Sequence, residues 1–274
     1  MDEELRKRIH QDLLNLVDVT LADAKIGPRI KKLLVDFKIS VEQLKKEVLA
    51  YTLDKDVDNY ENKQYQKIVA RLTLFFHNLV GGTYHRQRHN LVLSFLRKVK
   101  PKTFIDVGYG TPGLYLLDYL KEDSIATVTL ADQDKSAEEF STQVFLNEAP
   151  ELLSRVKFMT YDMDSQKYPG DFDAYLYLDS IEHTQKPTEY LQKMAHESKH
   201  GSHFIFSLPV CKMKGLENFH YAEWLSDDEA RKWVQDAGLK IIDEGTAYPN
   251  PEVDYFAELV DGGYHNYLVL AKKG

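Results

Sequence analysis

The chain of 274 residues is 43% hydrophobic and 12% aromatic, enough to bury one large domain or a main domain with an accessory one. Its net charge of −8 argues against a dedicated nucleic-acid binder, and its only cysteine, Cys211, excludes a disulfide framework or a cysteine-built zinc site. The charged start MDEELRKRIHQDLL holds no secretory h-region and no run approaches the ~18 apolar residues of a membrane span, so the expectation is a cytoplasmic protein with neither membrane nor nucleic-acid partners.

The first hundred residues read as helical, with no strand. Leu5, Ile9, Leu13 and Leu16 recur at helical spacing, Ser40 and Gln43 form a capping box before a charged amphipathic stretch, and 65–80 is another periodic segment. The LVGG at 79–82 breaks the chain, and YHRQRHNLVLSFLRKV then reads as an amphipathic helix. Residues 1–80 are expected to form a helical cap or lid, or equally a segment for homodimerisation. Residues 81–274 are read as the second domain, in which, from Asp106 onward, β-rich runs alternate with helix-like segments, the pattern of a parallel sheet covered on both faces.

Strands are expected at 103–107, 126–131, 156–161, 172–178, 203–208, 239–247 and 266–272. Between them, Ser136 to Glu139 reads as a capping box, Pro187 as a helix start, Ser226 to Glu229 as a second box, and Gly238 as a helix end. The last two strands are joined by a loop instead of a helix. A parallel crossover needs a helix-sized connection, so the final strand is expected to be antiparallel. The predicted class is therefore α/β, with a seven-stranded, mostly parallel, Rossmann-like sheet and an all-helical N-terminal cap.

Thr103 to Leu116, TFIDVGYGTPGLYL, carries the chemistry. An apolar run ends in Asp106 and breaks at Gly108, Gly110 and Gly113, where the missing Cβ atoms allow a sharp turn and close approach of a ligand. No Lys-Ser or Lys-Thr pair closes the turn as a triphosphate cradle needs, and Asp106 would repel a pyrophosphate. A ligand bearing an ammonium and a sulfonium fits better. The next apolar run ends in Asp132, where an open α/β sheet places an acid on the ribose hydroxyls; the plainer reading makes Asp132 a polar strand terminator. Two acids at adjacent strand ends suit an adenosyl cation.

With these features in order, the region from about 84 to 273 resembles the class I S-adenosylmethionine (SAM)-dependent methyltransferases. DVGYGTPG at 106–113 is similar to that family's D-x-G-x-G-x-G, with Tyr109 in the usual small or cysteine slot and Pro112 as an extra residue. FDAYLYLDSIEHTQKP at 172–187 and the late HYAEWLSDDEARKWVQDAGL resemble its small-molecule branch, related to ubiquinone-biosynthesis methyltransferases. The resemblance implies SAM as co-substrate and methyl transfer to a small-molecule O, N or C nucleophile. It implies that Asp106, Gly108, Tyr109 and Gly110 line the cofactor, with Asp132 and Gln133 at the ribose. In YDMD at 161–164, Asp162 would meet the adenine amino group and Met163 the ring.

Methyl transfer from a sulfonium is an in-line displacement that needs orientation and, for some acceptors, a base. His183, just past the fourth strand, is the first candidate base, against a plainer role in ordering the loop. Asp179, Glu182 and His183 sit at i, i+3 and i+4 and could converge on one helical face. Such a set, with His220, could hold Mg²⁺ or Mn²⁺, but the favoured reading assigns no metal and places Asp179 on the cofactor loop. In TYHRQRH at 83–89, Tyr84, His85 or Arg88 could bind the methionine carboxylate, with Arg88 preferred to Arg86 and a solvated basic helix face as the alternative.

Tyr109, Tyr175, Tyr177 and Tyr221 fall near the expected pocket. Tyr175 and Tyr177 are taken as orienting the substrate, although alternation puts both on one sheet face, where at least one suits a core better. Two other uses of the same site stay open: non-methyl SAM chemistry, by cyclisation or aminocarboxypropyl transfer, and a SAM-binding regulator that meets a protein partner through its N-terminal helices.

Overall fold

The computed structural model describes residues 3–53, 67–80, 83–165, 167–211, 220–250 and 264–274. Every expected strand is present: β1 (Thr103–Val107), β2 (Thr127–Asp132), β3 (Val156–Thr160), β4 (Ala174–Leu178), β5 (His203–Cys211), β6 (Leu239–Ala247) and β7 (Tyr264–Lys273). They form one sheet in the order β3-β2-β1-β4-β5-β7-β6. The first five strands pair in parallel, while β7 inserts antiparallel between β5 and β6. The β6–β7 ladder shifts register between Ile241 and Asp243. Since the order reverses between β2-β1 and β4-β5, a crevice opens outside the carboxyl ends of β1 and β4.

The helices before the sheet are α1 (Glu3–Ala22), α2 (Gly27–Asp36), α3 (Val41–Leu53), α4 (Ile68–Leu79) and α5 (Tyr84–Val99). Those within it are α6 (Leu114–Glu122), α7 (Lys135–Glu148), α8 (Pro187–Glu197) and α9 (Asp227–Asp236). No strand precedes Thr103 among the described residues. The break expected at Gly81 and Gly82, and the residues before Lys67 in the third periodic segment, lie outside them. No helix of the described residues is long and apolar enough to cross a membrane.

Strand alternation sorts side chains into two cores. Phe104, Leu130, Leu176, Ile205 and Leu268 face α1–α7, while Ile105, Tyr175, Tyr177, Phe204 and Phe206 face α8 and α9. The N-terminal helices share the first of these cores. Ile9, Leu13 and Val17 give α1 one buried stripe, and the ring of Phe140 on α7 stacks on Phe37 with centroids 5.6 Å apart and meets Phe75 edge-on at 5.9 Å. Polar contacts fasten the same seam. Arg29 Nε donates to Glu148 Oε1 at 2.8 Å, and Asp36 accepts from Gln143 and Asn147.

The helix ends follow the sequence signals with one exception. Ser40 and Gln43 exchange both capping bonds, at 2.7 and 3.1 Å, and Ser226 Oγ accepts from Glu229 N at 3.2 Å. Pro187 opens α8, and Gly238 follows α9 with φ of +83°. The box expected at Ser136 and Glu139 is not the cap of α7. Asp134 caps that helix instead, accepting from Ser136 N at 2.8 Å, because Ser136 lies inside the helix and its hydroxyl is taken by Arg71.

Candidate active site

The crevice is built from three strand ends and two helix starts. After β1 the chain turns through Gly108 and Gly110, at φ of +68° and +59°, the left-handed region that glycine enters without strain. Gly108 is doubly constrained. A Cβ there would lie 2.7 Å from Ser180 Cβ, and Ser180 is fixed by donating its hydroxyl to the Val107 carbonyl at 2.7 Å. The same Cβ position lies 3.7 Å from the methyl of Met163, so Met163 does border the glycine turn.

Two carboxylates flank this turn. Asp106 is 1% exposed and accepts from the Tyr115 hydroxyl. Burial pushes its carboxyl up to about 7, although the Tyr115 bond and the Arg88 charge pull the other way. Asp132, at the end of β2, accepts from Gly110 N at 3.1 Å and Asp134 N at 2.9 Å, and Arg71 Nη1 lies 3.7 Å from Oδ2. Burial raises this carboxyl too, opposed by Arg71 and the two backbone donors. Tyr109 packs partly buried against the first core. Gln133 and Asp162 are exposed, and Asp162 Oδ1 accepts from Asp164 N at 2.9 Å in a local turn.

The first turn of α5 is buried: Tyr84, His85, Arg88 and His89 are all under 10% exposed, so a solvated basic face is excluded. Arg88 does not stand open. Its Nη1 is ion-paired with Asp179 Oδ2 and its Nη2 lies 3.3 Å from His85 Nδ1. Burial works against the guanidinium charge, but Asp179 and the phenols of Tyr84, Tyr264 and Tyr115 hold it above its ordinary range. Asp179 also accepts from Ser207 Oγ at 2.7 Å and from Asn266 Nδ2. Its φ of +50° is uncommon for a residue other than glycine, and that strain is held by this ring of donors.

This geometry separates Asp179 from Glu182 and His183, with which a helical turn could have brought it together. β4 ends at Leu178, Asp179 turns left-handed, and Ile181–His183 is a single 3₁₀ turn, so the i, i+3, i+4 spacing of an α-helix does not apply. Glu182 and His183 meet His220 instead. One ligand atom from each lies within 4.8 Å of the other two, and the His183 and His220 rings pack edge-on with centroids 4.7 Å apart. Tyr221 N donates to Glu182 O at 2.7 Å and fixes the returning chain against this turn. One carboxylate and two imidazoles could hold a divalent transition metal, a donor set softer than Mg²⁺ prefers.

Tyr175 and Tyr177 are not brought to the crevice. In register Tyr175 is level with Ile105, and both phenols face the second core at 0% exposure. Their rings stack on Phe204 and Phe206, with centroids 5.0 and 5.8 Å apart. Tyr175 donates to Gly170 O at 2.8 Å, and Tyr177 is bonded to Tyr190 at 3.2 Å. Period-2 alternation puts the whole pair on the face away from Asp106. Sequence reasoning missed Arg71, Tyr115, Ser207 and Asn266. Only Arg71 had a signal, as the sole charged residue in the apolar helix IVARLTLFFHNL.

No protein-family model matches the chain, and no curated protein matches it by sequence. Solved structures do share its fold. The [4+2]-cyclase SpnF superposes with a TM-score of 0.55 at 15% identity, over 70% of this chain and 83% of that one. PigF, solved with S-adenosylhomocysteine (SAH), gives 0.55 at 14% identity, over 85% and 69%. The N-methyltransferase NodS from Bradyrhizobium japonicum WM9, also with SAH, gives 0.53 at 12%, over 71% and 90%. The sheet order and these neighbours define the fold as that of the class I SAM-dependent methyltransferases.

Proposed function

We propose that this protein binds SAM in the crevice at the carboxyl ends of β1, β2 and β4 and transfers its methyl group to a small-molecule O, N or C nucleophile. The observation that carries the reading is the pair of carboxylates, buried Asp106 and partly buried Asp132, on either side of a glycine turn in which Gly108 has no room for a Cβ. An adenosyl cation uses both: ribose hydroxyls donate to Asp132, and the methionine ammonium meets Asp106. Met163 packs on the adenine, Asp162 accepts from its amino group, and Gln133 and Tyr109 close the sides. Tyr84 and Arg88 face the methionine end, with Arg88 held by Asp179.

The sulfonium already activates the methyl carbon, so the protein mainly orients the acceptor in line with it. His183, with Glu182 Oε1 3.8 Å from its Nε2, is the base for acceptors that must lose a proton. Cyclisation of the methionine moiety loses support, because the tyrosines that would have lined it are enclosed on the other sheet face.

Calorimetry with SAM and SAH tests the cofactor. Asp132→Ala is expected to weaken both by ~10- to 100-fold, the worth of a charge-assisted bidentate bond. Tight NAD binding without SAM binding would sink the reading. Incubation with SAM alone should give no methylthioadenosine beyond spontaneous breakdown; sustained release would replace methyl transfer by non-methyl chemistry.

A further inference from the structure

Arg71 lies on α4, one of the N-terminal helices, and is 2% exposed. A guanidinium so placed is costly unless its donors and charge are answered. Its partners are distinctive. Nε donates to Ser136 Oγ at 3.0 Å, and Nη1 donates to Gly110 O at 2.5 Å. Nη1 and Nη2 also lie 3.7 Å from Asp132 Oδ2 and Asp134 Oδ2. One side chain thus joins the glycine turn, the end of β2 and the start of α7, three walls of the proposed cofactor pocket.

We infer that Arg71 is a positioning residue through which the N-terminal helices set the affinity for the cofactor ribose. The inference rests on the SAM reading above. To accept two ribose hydroxyls, Asp132 must be ionised and correctly aimed. A carboxylate has about four lone-pair positions, and the backbone donors of Gly110 and Asp134 take one on each oxygen. At 3.7 Å Arg71 favours the charged form from beyond hydrogen-bond range, so the remaining positions are left to a ligand. Its bond to Gly110 O also holds a residue in the left-handed turn. Because α4 is locked to α7 through Phe75 and Phe140, the N-terminal helices form part of the cofactor site rather than a separate attachment.

The test is a double-mutant cycle read by SAH calorimetry on the full chain, with thermal melting to verify folding. Arg71→Gln should weaken SAH ~10- to 100-fold, and Arg71→Lys should recover part of the loss, since an ammonium keeps the charge but not the fork. In an Asp132→Asn background, Arg71→Gln should add little. Wild-type affinity in Arg71→Gln, or losses that multiply in the double variant, overturns the inference and leaves the cofactor reading standing. A wild-type protein that binds neither SAM nor SAH overturns both. If Arg71→Gln does not fold, Arg71→Lys takes its place: a several-fold loss that Asp132→Asn abolishes supports the inference, and wild-type affinity overturns it.

Discussion

If SAM binds as proposed, Asp106 makes that binding a proton-linked event. Burial pushes its carboxyl up to about 7, so at pH 6 it is ~90% protonated and at pH 8 ~10%. Only the carboxylate attracts an ammonium. Binding a cation beside it favours ionisation, so SAH should bind about tenfold more tightly at pH 8 than at pH 6, releasing close to one proton at the lower pH. The buried histidines His77 and His89 do not mimic this. His77 is held down to about 4 by burial alone, and His89 is driven well below its ordinary value by burial and by Arg88. The linkage for the empty protein has the opposite sense. With the folded value above the unfolded one, this group's contribution to stability is complete at low pH and is lost as pH rises from about 4 to 7. At pH 8 the buried charge costs on the order of 4 kcal/mol, so empty Asp106→Asn should be more stable than the wild type there. Calorimetry at pH 6, 7 and 8, in buffers of different protonation heat, measures both affinity and proton release. A dissociation constant flat across that range, with no buffer-dependent heat, would refute the linkage; Asp106→Asn should itself be flat and weaker than wild type at pH 8.

Three further outcomes follow from the packing and the ligand geometry. Phe140→Ala removes the ring that joins α7 to Phe37 and Phe75 and should cost ~3–5 kcal/mol in urea unfolding; a loss below ~1 kcal/mol would mean that the N-terminal helices do not depend on this seam. Tyr177→Phe should cost ~1 kcal/mol through the lost bond to Tyr190 and leave kcat and KM unchanged, whereas a large fall in kcat would return this residue to the site. Chelation with EDTA should leave activity intact if His183 works as a base without a metal, while loss that Mn²⁺ or Zn²⁺ restores would assign Glu182, His183 and His220 to a metal.

The fold was legible because each signal for it is local. Seven apolar runs of strand length, glycine and proline punctuation, one reciprocal capping box and the Ser226 cap depend on neighbours within a few residues. The antiparallel final strand followed from the length of its connection. The cap of α7 was misplaced for a reason of the other kind. Asp134 and Ser136 are both able N-caps, and the choice depends on Arg71, 65 residues away, which takes the Ser136 hydroxyl.

The candidate site was legible only where its residues follow the backbone course. Asp106, Gly108, Asp132 and Met163 reach the crevice because strand ends and the glycine turn put them there. Tyr175 and Tyr177 satisfied the same positional argument along the chain, but a period of two carries side chains to opposite faces, and which face meets the ligand is decided by the sheet as a whole. Asp179 departs from the local pattern differently. An α-helical spacing was assumed for a segment that turns left-handed and then makes a single 3₁₀ turn, so the expected triad divided, one part going to Arg88 and the other to His220. What no local pattern could supply is the pairing of charged groups across elements. Arg71 on Asp132, and Arg88 on Asp179, each join a helix that precedes the first strand to the end of a strand inside the sheet. The electrostatics of the crevice therefore belong to the whole assembly of N-terminal helices and sheet, so truncating residues 1–80 would remove Arg71 together with the charge that opposes the effect of burial on Asp132.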